Sequence, residues 1–252
     1  MAVLAQFANS AIRVLLAPGC AACDVLLEQP LAGPVCPTCW RAVAKLSPPV
    51  CGICGDVCAA TDARDPRCAR CVRQPPVFDV ARSAGVYEGS LREIIHAFKY
   101  DNRRVLAKAL GALMREAGRD LLADADAVVP VPLHPWRRMR RGFNQADDLA
   151  RQLGRPVRHL LRRRRYGRTQ AGLKAAGRRG NVSGAYALRR FVPDTLVRDR
   201  VLVLVDDVLT TGATLDACSR VLLEAGARSV RALTIGRAVA GRPALPMPRP
   251  AP

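Results

Sequence analysis

Aromatic side chains are scarce in this 252-residue chain. Phe, Tyr and Trp make up 4% of it, so a core has to be built from the aliphatic residues that dominate its 50% hydrophobic content. Lysine is rare, 4 residues against 36 arginines, and acids are few, 21 against 40 Lys and Arg, which leaves a formal net charge of +19. The shortage of acids is local. Residues 131–190 hold 17 Lys and Arg against 2 acids, a balance of +15, while the segments on either side each come to +2. A codon bias toward Arg accounts for Arg over Lys, but it does not remove acids from one segment. Such a segment suits a polyanionic partner. No run of roughly 18 apolar residues occurs, which argues against a transmembrane helix. The N-terminus lacks the basic cluster of an export signal, and Asn9, Ser10 and Arg13 interrupt its apolar residues. Val3, Leu4, Phe7, Ile12, Leu15 and Leu16 therefore read as the apolar side of a short helix over residues 1–17, and the chain is expected in the cytoplasm.

Cysteine is abundant and clustered. Nine of ten lie between Cys20 and Cys71, and eight form four C-x-x-C pairs: Cys20/Cys23, Cys36/Cys39, Cys51/Cys54 and Cys68/Cys71. Twelve residues separate the first two pairs and thirteen the last two. A C-x-x-C on a tight turn aims two thiolates at one point, and two such turns complete a tetrahedron around zinc at about 2.3 Å per Zn–S bond. A disulfide scaffold would need an oxidising compartment, which no export signal supports. Pairing in sequence gives one structural zinc site from Cys20, Cys23, Cys36 and Cys39 and a second from Cys51, Cys54, Cys68 and Cys71. Interleaved pairing also satisfies the spacing, and Cys58 is a spare that fits in place of Cys54 or Cys68. Cys218 lies on an apolar helical stretch and reads as core. Residues 18–76 thus form a small metal-dependent module, because so short a segment with so few aromatics has no core to fold on alone.

A proline pair, Pro75 and Pro76, marks the boundary to the main domain, residues 77–238. Leu91, Ile94, Ile95 and Phe98 have helical spacing, as do Leu106, Ala109, Leu110 and Leu113. "ADAVVPVPLHP" reads as a buried strand running into a Pro-bounded loop. "NQADDLARQLG" reads as a helix capped by Asn144 with Gly154 just past its end. "RVLVLVD" is a second buried strand, "TLDACSRVLLEAG" a helix closed by Gly226, and "SVRALTIG" a third strand. Solid apolar strands alternating with helices specify an α/β fold, a parallel sheet covered on both faces. Residues 239–252 are rich in proline and read as a disordered tail.

The stretch "VLVLVDDVLTTGATL" is expected to carry the chemistry. Ligands of open parallel sheets bind beyond the carboxyl ends of the strands, where Asp206 and Asp207 fall. Successive strand residues point to opposite faces, so both acids meet one ligand only if the chain is already turning there. Paired carboxylates suit hydrated Mg²⁺ or vicinal sugar hydroxyls. The loop that follows leads into a helix N-terminus, whose free N–H groups suit a phosphate; Thr210, Thr211 and Thr214 add hydroxyls, and Gly212 leaves room for close approach.

These residues resemble the phosphoribosyl pyrophosphate (PRPP) motif of type I phosphoribosyltransferases. The stretches "YEGSLREIIHAFKY", "VVPVPLHPWRRMRRGFNQADDLA" and "RTQAGLKAAGRRGNVSGAY" are similar to one branch of them, the ComF-like competence proteins, whose Cys-rich head is a double zinc ribbon. The resemblance implies a type I phosphoribosyltransferase-like sheet. In it Asp206 and Asp207 hold the ribose hydroxyls directly or through Mg²⁺. Thr210, Thr211, Gly212, Ala213 and Thr214 wrap the 5′-phosphate. Pro130, Val131 and Pro132 lie near the pyrophosphate, and Arg168 and Gln170 sit on a mobile loop spanning Arg168–Asn181. It also implies a role in natural transformation, with single-stranded DNA as a partner beside PRPP, and a DNA-uptake helicase or processing protein as a further one. Trp136, Phe143, Tyr166 and Tyr186 interleave with the basic segment as candidate base-stacking residues, with Phe143 and Tyr186 equally readable as core. Transfer to a base or nucleotide acceptor and a non-catalytic adaptor role are the competing readings, and no residue identifies an acceptor.

Overall fold

The structure is a computed structural model, and it describes residues 2–58, 67–100, 103–133, 139, 142–164 and 184–239. Arg168 and Gln170, with Trp136, Tyr166 and the tail from residue 240 onward, lie outside the described residues. Four parallel strands form the central sheet in the order β1 (Val80–Val86), β6 (Ser229–Arg237), β5 (Val201–Leu209), β2 (Ala127–Pro130). Residues alternate between its faces, and each face has its own core. Val203, Val205, Leu233 and Ile235 pack under α4 (Gly89–Tyr100), α5 (Leu106–Ala117) and α7 (Gln145–Ala150). Leu202, Leu204, Val230 and Ala232 pack under α8 (Ala213–Glu224). This two-sided burial is why the strands read as unbroken apolar runs. A short helix α6 (Arg119–Ala123) precedes β2, and an antiparallel ribbon of β3 (Leu161–Arg163) and β4 (Tyr186–Leu188) lies beside α8.

Two expectations need correction. β5 does not end on the acid pair. It continues through Leu209, with Val208 opposite Gly236 and Leu209 opposite Arg237 on β6. The strand that stops is its other neighbour, β2, whose last residue Pro130 lies opposite Val205. Proline has no N–H with which to extend a ladder, and Pro132 follows at once. In α1 (Ala2–Leu16), Leu15 and Leu16 are exposed rather than packed, since the helix rests on the turn Pro30–Ala32 through Asn9, whose Oδ1 accepts the Leu31 N–H at 3.0 Å.

The β2–β5 register, which sets what stands beside the acids, is clipped at its start by Asp126. Its Oδ2 accepts the Val201 N–H at 2.8 Å and its Oδ1 pairs with Arg200 at 3.0 Å. The Val201 N–H, and after it Arg200, hold this carboxyl below its usual range. A lowered folded pKa contributes stability above the unfolded value and loses it as pH falls through the folded one. Asp126→Ala is therefore expected to cost about 1 kcal/mol at pH 7 for this half-exposed group. Urea unfolding should show the gap between variant and wild type closing below pH 4.

Candidate ligand site and metal centres

Because β2 ends at Pro130, the edge of β5 beyond Val205 is open, and both acids reach one cavity without any turn in the chain. This cavity of about 220 Å³ is lined by Asp206, Asp207, Val131, Pro132, Thr214 and Lys99, with Tyr186 and Arg163 along its wall. Lys99 Nζ lies 2.9 Å from Asp207 Oδ1, and the Asp207 N–H donates to Asp206 Oδ1 at 2.9 Å. Burial, and then the Asp207 carboxylate, push Asp206 up to about 7, against the pull of the Asp207 N–H and Lys99. The pair therefore suits a divalent cation, whose charge displaces the retained proton to solvent, or a sugar hydroxyl that hydrogen-bonds to the carboxyls. Two adjacent carboxylates are hard oxygen donors of the kind Mg²⁺ takes together with phosphate oxygens.

Lys99 was not legible as a site residue. A Lys in the last turn of a helix is an ordinary complement to the helix dipole. Here it sits on the shielded side of α4, beside Phe98, and Gln145 Nε2 at the start of α7 donates to its carbonyl at 3.5 Å. Asn144 caps α7 as expected, accepting the Ala146 N–H, and its Nδ2 reaches the Val131 carbonyl at 3.2 Å, which ties the cavity's far wall to that helix.

Past Leu209 the chain turns through Thr210, Thr211 and Gly212 into α8, which begins at Ala213. Gly212 caps the helix at φ 80°, a left-handed conformation that favours glycine. Gly212 makes no side-chain cap, the Ala213 N–H donates to Thr211 Oγ1 at a long 3.5 Å, and such a helix N-terminus suits an anion.

The cysteines pair in sequence. Cys20, Cys23, Cys36 and Cys39 form one group and Cys51, Cys54, Cys68 and Cys71 the other, with Sγ atoms inside each group within 4.8 Å of one another; Cys58 belongs to neither. Cys23 and Cys36 Sγ stand 3.9 Å apart, and Cys54 and Cys68 Sγ 3.7 Å. These separations are far beyond a disulfide bond of about 2.05 Å. They match the edge of about 3.8 Å of a tetrahedron with Zn–S bonds of about 2.3 Å. Burial alone would raise Cys20 and Cys51, but backbone N–H donors, foremost Cys36 for the first and Cys68 for the second, bring each down to about 7.

The two groups repeat one local design. A hairpin bridge (Gly19 to Leu26; Val50 to Val57) presents the first C-x-x-C, and the second opens a five-residue helix, α2 (Pro37–Arg41) or α3 (Ala69–Arg73). The fourth residue after the leading Cys is left-handed in both, Asp24 at φ 57° and Gly55 at φ 66°. Only the second must be glycine for space as well, because a Cβ there would lie 2.9 Å from the Ala81 carbonyl oxygen.

A buried cation supports ionised thiolates in the second group. Arg237, 1% exposed, points Nη2 at Cys54 Sγ (3.7 Å) and Asp56 Oδ2 (2.7 Å), while its Nε and Nη1 find no partner. A guanidinium so deeply buried calls for more negative charge than one carboxylate supplies. Four thiolates around Zn²⁺ carry a net charge of −2, which fits.

Among the candidate stacking residues, Phe143 packs on Phe98 (centroids 5.9 Å apart) and Tyr186 is 5% exposed beneath Arg163, so both are core. Among the described residues the most exposed aromatic lies just past the basic segment, with Tyr100 the other exposed one. Phe191 is 95% exposed, held at φ 61°, and follows the exposed Arg189 and Arg190. Arg162 and Arg164, also exposed, stand on the adjoining ribbon. Among the described residues no helix is long and apolar enough to cross a membrane.

The phosphoribosyl transferase domain family matches residues 101–244. Over 214 residues the chain is 34% identical to Competence protein F of Haemophilus influenzae, covering 81% of this chain and 90% of that one. It is 34% identical to the DNA utilization protein YhgH of Escherichia coli O157:H7 over 78% of this chain and 87% of the relative. It is 30% identical to Competence protein ComFC of Bacillus subtilis over 81% and 84% respectively. A parallel sheet under helices, an acid pair at an open strand edge and two four-cysteine groups at the N-terminus thus have a common lineage: the chain belongs to the Competence protein F, ComFC and YhgH family, with a phosphoribosyl transferase domain.

Proposed function

We propose that this chain binds PRPP with Mg²⁺ at the acid pair and serves natural competence, handling single-stranded DNA in the cytoplasm. The observation that carries the reading is the path of β5. It delivers Asp206 and Asp207 to an open edge and then turns into the N-terminus of α8, so that the acids and Thr214 line one cavity. A ribose 5-phosphate spans that distance with its hydroxyls on the acids and its phosphate on the N–H groups of Thr211 to Thr214. Pro130, Val131 and Pro132 border the pyrophosphate, and Lys99 and Arg163 supply positive charge beside it. Mg²⁺, when bound, neutralises pyrophosphate charge. Two structural zinc ions occupy the four-cysteine groups.

The names of the relatives, a competence protein and a DNA utilization protein, support DNA as the second ligand. So does the exposed Phe191 among arginines: an aromatic face with a cationic flank is how sequence-tolerant single-strand binders hold a base. A DNA-uptake helicase or processing protein is the expected protein partner. Calorimetric titration should show PRPP binding that requires Mg²⁺; no heat with Mg²⁺ present would overturn the reading. A screen of bases, nucleotides and single-stranded DNA for pyrophosphate release separates a transferase from a binder. Phe191→Ala should weaken binding to single-stranded DNA about ten-fold with the salt slope unchanged, whereas charge removal at Arg162 and Arg164 should lower the slope. Unchanged affinity in Phe191→Ala would remove that residue from the DNA surface.

A further inference from the structure

The second four-cysteine group lies against the phosphate loop, and one side chain joins them. Arg70 sits between the ligating Cys68 and Cys71, on α3. Its Nη1 donates to the Thr210 carbonyl at 3.4 Å and its Nη2 to the Thr211 carbonyl. A Cβ at position 212 would come within 3.1 Å of Arg70 Nη2 and 3.7 Å of Phe78 Cε1, so the glycine also admits this approach. The chain after α3 holds the same turn from its other end: the Val77 N–H donates to Asp216 Oδ1, in the first turn of α8, at 2.8 Å. Segment 70–78 therefore clasps residues 210–216 at three points, across about 140 residues of sequence.

The chemistry of the clasp is directional. A peptide whose carbonyl is held on one side turns its N–H to the other. Fixing the Thr210 and Thr211 carbonyls therefore orients the next N–H groups, those of Thr211 and Gly212, away from Arg70. Arg70 is suited to this because its planar fork bonds two carbonyls at once with little freedom left to lose. Its charge also lies at the helix N-terminus, where it repels other cations and favours an anion.

We propose that Arg70 is a positioning residue of the phosphate site, so that the second four-cysteine group acts as the loop's anchor rather than as a separate nucleic-acid reader. The inference rests on the PRPP reading for the identity of the anion but not for the loop's dependence on Arg70. The test is hydrogen exchange of the amides at residues 211–214, with calorimetry of ribose 5-phosphate and of Mg²⁺–PRPP, on wild type, Arg70→Ala, Arg70→Gln and Arg70→Lys, each with its metal content measured. In Arg70→Ala, metal content should be unchanged, loop exchange should rise at least ten-fold, and both ligands should bind about ten-fold more weakly. Arg70→Gln, which keeps one carbonyl bond, should fall between, and Arg70→Lys should recover part of the affinity. Unchanged loop exchange in Arg70→Ala and Arg70→Gln overturns the proposal whatever the ligand. If the loop loosens as expected but wild type binds neither probe, the PRPP reading fails and the anchoring role stands.

Discussion

Asp206→Asn combined with Asp207→Asn is expected to abolish Mg²⁺-dependent PRPP binding, by at least 100-fold, while Asp206→Asn alone makes the ligand-free protein more stable than wild type at pH 8. Both effects come from one fact. The cavity confines two carboxylates with a single nearby ammonium, Lys99, and Lys99 pairs with Asp207. Burial and that neighbour raise Asp206 from 3.8 to about 7. A raised folded pKa means that the fold favours the neutral acid. Below the unfolded value Asp206 contributes no penalty; as pH climbs toward 7, keeping the group in the fold becomes progressively harder; above 7 the penalty is complete. Asparagine keeps the oxygen that accepts the Asp207 N–H and never ionises, so it escapes the penalty. The gain should be on the order of 2–4 kcal/mol at pH 8 and vanish near pH 4, read from urea midpoints across that range. Lost binding with no gain in stability would mean that the acids bind ligand without being held under electrostatic strain. A gain in stability with binding intact would remove them from the ligand site. A site that sacrifices stability for ligand affinity is expected to show both changes together.

Features that one stretch of chain specifies were legible in the sequence. The C-x-x-C spacing gave two four-cysteine groups, and the fold added the choice of sequential pairing. The alternation of apolar strands and helices gave the sheet, and the order of acids, hydroxyls and Gly212 gave the turn into α8. Features that depend on what a neighbour does were not legible. The acids face one cavity because β2 stops at Pro130, which is a property of a strand that ends 76 residues before Asp206. Lys99 looked like a helix-end cation until α4 was packed against the sheet. Nothing local singles out Arg70 between two cysteines or Arg237 at the end of a strand; their partners lie 140 and 181 residues away in sequence. Phe191 lies one residue beyond the basic segment, and its exposure depends on a left-handed backbone turn that the sequence does not announce. Burial of Phe143 and Tyr186 removed two of the aromatic residues that the sequence offered in its place, and Trp136 and Tyr166 lie outside the described residues.

Disrupting the second four-cysteine group with Cys51→Ser should be far more damaging than disrupting the first with Cys23→Ser. The first group docks on α4 through Cys20, Cys36 and Cys39 and reaches the sheet domain's edge where the Val86 N–H meets the Ala44 carbonyl. Cys23 itself is only partly buried. The second group is built into the sheet. The Ala81 N–H of β1 donates to the Ile53 carbonyl at 2.7 Å, Arg82 Nη1 to the Gly52 carbonyl at 3.1 Å, and Arg237 at the end of β6 is buried on Cys54. Cys51 is fully buried and lies in the same apolar cluster as Leu202, Leu204 and Leu222. Structural zinc contributes about 10–16 kcal/mol to small modules that fold only around it. A domain whose whole stability is about 5–15 kcal/mol cannot lose a large part of that and remain folded. Loss of the second metal would also strand Arg237, whose guanidinium has Asp56 but no other carboxylate against it. Metal analysis should find two equivalents in wild type and one in Cys23→Ser, with the latter still unfolding cooperatively in urea. Cys51→Ser should be recovered unfolded or not at all. If it instead folds with a midpoint near that of Cys23→Ser, the second group is a peripheral clip, and the sheet domain owes its stability to its aliphatic core alone.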